Sequence, residues 1–67
     1  MNDFKGKIIK ICLNSNTGYV CETGAFIDMK DDFVVIKNIA SNKIQYISKF
    51  NIKYIEIIKE IGGNSYE

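Results

Sequence analysis

The sequence predicts an all-β fold, a small barrel of five short strands. Apolar runs rich in Ile and Val alternate with short polar turns at even spacing, the pattern of successive strands rather than of helices. The stretch from Gly24 to Ile36 holds two such runs joined by the corner Lys30-Asp31-Asp32 and reads as the bent centre of the barrel. No Pro interrupts any run.

Taken in order, Lys7-Ile8-Ile9-Lys10-Ile11-Cys12-Leu13 is a β-branched run with partial alternation, the first strand. Asn14-Ser15-Asn16-Thr17-Gly18 breaks it, and Asn and Gly tolerate the left-handed backbone that a hairpin loop demands. The second strand runs from about Tyr19 to Met29, long enough that it must bend to stay on a small core. Gly24 lies near its middle, where a residue without Cβ permits a kink, a bulge or a close backbone approach. Phe33-Val34-Val35-Ile36-Lys37 is the third strand, its continuous apolar character implying burial on both faces. Asn38 to Asn42 reads as a turn, and Lys43-Ile44-Gln45-Tyr46-Ile47 as the fourth strand. Ser48-Lys49-Phe50-Asn51 suits a single 3₁₀ turn. The fifth strand is Ile52-Lys53-Tyr54-Ile55-Glu56-Ile57-Ile58. Between Ile52 and Ile61 the apolar residues also fit a helical stripe, but β-branched Ile dominates and no capping pattern precedes it, so the strand is the better reading. Residues 1–61 form one domain, and the polar, glycine-rich residues 62–67 a frayed tail.

A chain of 67 residues buries little apolar surface, so a core of this size supplies only about 3–5 kcal/mol and is commonly supplemented by a metal, a disulfide or oligomerisation. Metal is not expected: there is no His, and Cys12 and Cys21 lack the paired short spacing of a zinc site. A disulfide is harder to exclude, because the two cysteines fall on successive strands of one hairpin. If Ile9, Ile11 and Leu13 face the core, strict alternation turns Cys12 outward. Cys21, sharing a face with Tyr19, Ala25, Ile27 and Met29, then turns inward unless a bulge intervenes. The expectation is therefore two reduced thiols.

The amino-terminal residues show no apolar segment of the signal-peptide kind, and no run approaches membrane-spanning length. A cytoplasmic protein is expected. The net charge is only +1 and every basic residue is Lys, so neither a strong electrostatic pull toward polyanions nor the bidentate chemistry of Arg is present. Catalysis lacks its parts: no His is present, neither Cys has an evident base partner, and the adjacent Asp31 and Asp32 suit a solvated corner. No cofactor is implied.

The glycine and aliphatic pattern of Gly24-Ala25-Phe26-Ile27, the corner and strand Asp31-Asp32-Phe33-Val34-Val35-Ile36, and the closing Ile52-Lys53-Tyr54-Ile55 together resemble the Sm-like version of the SH3-like barrel. That superfamily includes bacterial Hfq and the archaeal and eukaryotic Sm proteins. The likeness covers roughly Lys5 to Ile58, and it implies a strongly bent sheet, assembly into a ring through the fourth and fifth strands, and RNA as a ligand. The family's RNA-binding positions differ here: Asp32, Phe33, Val34 and Val35 follow Asp31 with no Asn among them, and Ser48-Lys49-Phe50-Asn51 before the last strand has no Arg-Gly pair and matches the Tyr-Lys-His stretch of Hfq only at Lys49.

Two functional classes remain. One is a structural or interaction protein that forms a dimer or ring, with Tyr46, Ile47, Tyr54 and Ile58 at the interface. Alternation leaves an apolar residue of the fourth strand outside in either register, and Tyr54 and Ile58 outside if Ile55 and Ile57 point inward. The other is a single-stranded nucleic-acid binder. There Tyr19, Phe26, Tyr46, Phe50 and Tyr54 would offer stacking faces, and Lys43, Lys49 and Lys53 would track phosphates. A β-dominated far-UV circular dichroism spectrum is expected from the strand pattern, and a dominant helical signature would refute it.

Overall fold

The computed structural model describes residues 4–16, 18 and 20–60, so the expected tail over 62–67, together with Thr17, Tyr19 and Ile61, lies outside the described residues. The elements are β1 (Lys7–Leu13), β2 (Val20–Met29), β3 (Phe33–Asn38), β4 (Ile44–Ser48), a 3₁₀ turn (Lys49–Asn51) and β5 (Ile52–Glu60). The helical alternative for the last segment is not realised, because β5 pairs with β1 along its length. Every pairing is antiparallel, and the strands form one sheet in the order β4-β3-β2-β1-β5. This order is linear and open. Strands β4 and β5 stand at its two ends.

One face of the sheet carries the core. Ile9 and Ile11 of β1, Phe26 of β2, Val34 and Ile36 of β3, and Ile47 of β4 make a buried cluster, against which Phe4, Leu13, Met29, Ile52 and Ile55 pack. All five strands therefore contribute, which a sheet of this width achieves by coiling around the cluster rather than lying flat. Phe4 and Phe26 meet with ring centroids 5.7 Å apart. On β3 the expected two-sided burial is observed, since Val34, Val35 and Ile36 are all buried although they alternate between faces. Val35 is covered on the outer face beside its cross-strand partner Tyr46, whose ring stands edge-on to Phe33 at 6.2 Å.

Gly24 is required by the close approach of β2 to β3. A Cβ at this position would lie 2.5 Å from the carbonyl oxygen of Lys37 and 3.0 Å from Ile36 Cδ1. The bulge expected near this glycine occurs later, where the β2–β3 register shifts between Phe26 and Asp28. That displacement decides the cysteine geometry. Below the bulge Phe26 faces the core, and beyond it Met29 does, so inward phase passes from an even to an odd position. A phase carried back from Met29 thus assigns Cys21 to the wrong side.

Cys21 is the direct cross-strand partner of Cys12, with Cα atoms 4.1 Å apart, and the two are joined as a disulfide. Directly opposed residues of an antiparallel pair point to the same face, so both sulfurs lie outside the core. The expectation of two reduced thiols on opposite faces is corrected accordingly.

Two outcomes follow from these contacts. Gly24→Ala should lower stability by about 1–3 kcal/mol in urea denaturation, since the colliding group is backbone and the added methyl overpacks the strand pair. Reduction of the Cys12–Cys21 bond, or its replacement by Ala at both positions, should cost about 2–3 kcal/mol, the range for a loop of this length. An unchanged urea midpoint for either alteration would contradict the packing described.

Candidate functional site

The candidate surface lies on the edge strands and on the turn between them. Ser48 ends β4 and caps the 3₁₀ turn, its hydroxyl oxygen accepting from the Phe50 amide at 3.3 Å, and the Ile52 amide donates to the Lys49 carbonyl. The Lys49 amide donates to the Asp32 carbonyl at 2.9 Å, and the Asn14 amide to the Asn51 carbonyl at 2.9 Å. These bonds fix the turn against the β2–β3 corner and the start of the hairpin loop. They leave the Phe50 ring 84% exposed, the most exposed large apolar side chain among the described residues.

Of the residues singled out for nucleic acid, Phe26 is taken into the core and Tyr19 lies outside the described residues, and Lys43, Lys49, Phe50 and Lys53 do not converge. Lys49 and Phe50 are neighbours on the turn, and Lys53 follows on β5, but Lys43 precedes β4 at its far end. The five residues of β4 separate Lys43 from Lys49, so the two lie about 20 Å apart along the strand. Lys49 instead joins Lys5 and Lys30 around an open cleft of about 490 Å³, with Phe26 and Met29 beneath and Asp28 and Asp31 beside them. Sequence reading missed Lys5 and Lys30, because the corner and the turn are brought together by sheet register, with Phe33 opposite Ser48 and the Lys49 amide on the Asp32 carbonyl. The cleft is close to charge-balanced, and Lys30 Nζ lies 3.5 Å from Asp28 Oδ2. The Met29 amide, donating to Asp28 Oδ1 at 2.8 Å, and then Lys30 hold the Asp28 carboxyl below its ordinary range.

Of the residues assigned to an interface, Tyr46, Tyr54 and Ile58 are exposed while Ile47 is taken into the core. The alternation on β4 thus resolves with Tyr46 outside. On β5 a register shift lies between the Ile8–Lys59 and Ile9–Ile57 pairs, leaving Ile58 as the extra residue. Ile55 packs on the core, whereas Ile57 and Ile58 are each about half exposed. Lys10 and Glu56, cross-strand partners, form an exposed ion pair at 3.7 Å, a contribution of about 0–1 kcal/mol.

At the opposite end of the sheet a buried polar group stands where a turn was expected. Asn38 completes β3 and is 6% exposed. Its Nδ2 donates to Glu22 Oε1 at 2.8 Å and Gln45 Oε1 at 2.9 Å, and its Oδ1 accepts from the Ala40 and Ser41 amides at 2.8 and 3.1 Å. One side chain therefore joins β2, β3, β4 and the β3–β4 turn. The arrangement is fully satisfied and holds no nucleophile, which makes it a structural lock.

Comparison with known proteins gives no match: no family model fits the chain, and neither a curated protein nor a solved structure matches it. No helix among the described residues is long and apolar enough to cross a membrane.

Asn38→Asp would face Glu22 and Gln45 with an acceptor in place of the donor, and should cost about 1–3 kcal/mol at neutral pH. Part of that loss should be regained on acidification, as protonation restores a donor. Equal destabilisation from pH 4 to pH 8 would show that the bonds to Glu22 and Gln45 do not carry the effect. For wild-type Asp28, a carboxyl with a lowered folded pKa stabilises above its unfolded pKa and loses that contribution as pH falls through the folded value. Side-chain NMR should accordingly place its midpoint below 3.8.

Proposed function

We propose that the protein is a non-catalytic, self-associating interaction module of the cytoplasm, built as an Sm-like barrel. The observation that carries this reading is the pair of sheet ends. Strand β4 presents Ile44 and Tyr46, and β5 presents Tyr54, Ile57 and Ile58, each exposed on a terminal strand of an open sheet. Terminal strands flanked by apolar side chains favour addition of another strand. Joining β4 of one copy to β5 of the next would extend the sheet across the contact. Repeated head to tail, such contacts close as a ring, and pairing of like edges closes as a dimer.

The Sm-like reading is supported by the strand order, the 3₁₀ turn before the last strand and the shared core drawn from both terminal strands. Nucleic acid is the second reading, favoured by the exposed Phe50 ring beside Lys49. With the lysines dispersed, such binding would be weak and salt-sensitive.

Light scattering coupled to size exclusion at tens of micromolar should give a multiple of the 7.6 kDa chain mass. Ile58→Lys should reduce that mass while leaving the β spectrum intact. A monomeric wild type would overturn the proposal. Titration of labelled oligo(U) and oligo(A) separates the second reading, which sub-micromolar affinity at physiological salt would favour.

A further inference from the structure

We propose that Cys21 is a modification site for low-molecular-weight thiols, which attack its sulfur in the Cys12–Cys21 disulfide and are captured there as a mixed disulfide. The two sulfurs of this bond are unequal. Cys12 has no exposed surface, lying on β1 between Cys21 of β2 and Tyr54 of β5 as cross-strand partners. Cys21 is exposed, and Val20 before it is 46% exposed. In this part of its length β2 has β1 on one side and no paired β3 residue on the other, which leaves Cys21 beside solvent.

Thiol–disulfide exchange proceeds through attack of a thiolate on one sulfur, along the line of the S–S bond, with the other sulfur leaving. Attack on Cys12 would require the nucleophile to reach a residue with no exposed surface, whereas Cys21 is exposed. The new bond joins the small thiol's sulfur to Cys21 Sγ, and the S–S bond to Cys12 breaks. Cys12 takes the electron pair and the proton that the small thiol gave up. A second small thiol then releases the first as its symmetric disulfide and leaves Cys21 as a thiol. Two small thiols are thus oxidised as the protein disulfide is reduced.

The reverse step is equally built in. Cys12 remains directly opposite Cys21 after the first exchange, so its thiol is placed to expel the captured group and reform the disulfide. Capture at Cys21 is therefore transient in the wild type and lasting only where Cys12 cannot return. The pair works as a gate with one accessible face.

The test uses glutathione as the thiol. Cys12→Ser, treated with oxidised glutathione and read by intact mass, should gain one adduct, as the Cys21 thiol displaces one glutathione from the reagent. Cys21→Ser, which leaves the buried Cys12, should react at least ~10-fold more slowly until urea is added. Equal rates for the two variants, or no adduct on Cys12→Ser, would overturn the proposal. Should either variant fail to fold, the wild type decides: brief exposure to reduced glutathione, acid quench and peptide mapping should place the mixed disulfide on Cys21. An adduct on Cys12, or a disulfide that reacts only in urea, would overturn it.

Discussion

The approach of β2 to β3 at Gly24 is the constraint on which the remaining arrangement rests. With the backbone of Lys37 close enough to exclude a Cβ, the two strands are held against each other at the point where Asn38 is the partner of Gly24. That register delivers Asn38 to the inner face, where its amide reaches Glu22 on one neighbouring strand and Gln45 on the other. The same side chain accepts from the turn that starts β4, so the position of one sheet end is set from the middle of the sheet. Buried amide groups of this kind cost free energy unless each of their bonds is made. Here each is made, and the network specifies one register among those the apolar pattern alone would allow.

Much of the fold was legible in the sequence, because β-branched runs and polar turns obey a period-two pattern that burial enforces. All five strands and the 3₁₀ turn fall where those runs and the Ser48 segment indicate. What was not legible depends on register. Nothing in the residues around Ile27 marks the bulge between Phe26 and Asp28, yet that bulge turns the phase of β2 and decides which way Cys21 faces. Asn is common in turns, which is what Asn38 suggests in the sequence, whereas its burial depends on Glu22 and Gln45, which only the sheet register brings to it. The Lys5, Lys30 and Lys49 cluster depends likewise on register and on a backbone bond between two loops.

The outer face shows how a chain this short uses side chains that the core cannot hold. Val35 and Cys12 are buried although they point away from the main cluster, one beside the Phe33 and Tyr46 rings and the other within the disulfide and against Tyr54. Cover on the outer face is local, since Val20 and Ile27 of β2 and Phe33 of β3 are exposed as well as the apolar residues of β4 and β5. What sets Ile44, Ile57 and Ile58 apart is that they lie on strands at the two ends of the sheet order, which is why the proposed self-association involves the terminal strands rather than the inner ones.

The disulfide and the terminal strand β5 are connected through β1. Cys12 is held to Cys21 by a covalent bond on one side and is the cross-strand partner of Tyr54 on the other. Strand β1 also supplies Ile9 and Ile11 to the core and carries the whole pairing of β5, so the order of β5 can be no greater than that of β1. The covalent tie lies at the loop end of the β1–β2 hairpin, where Cys12 and Leu13 also border a register shift in the pairing with β5. The disulfide and the strand that the proposed self-association uses are thus joined through one shared strand, β1, whose Cys12 has Cys21 as its partner on one side and Tyr54 on the other.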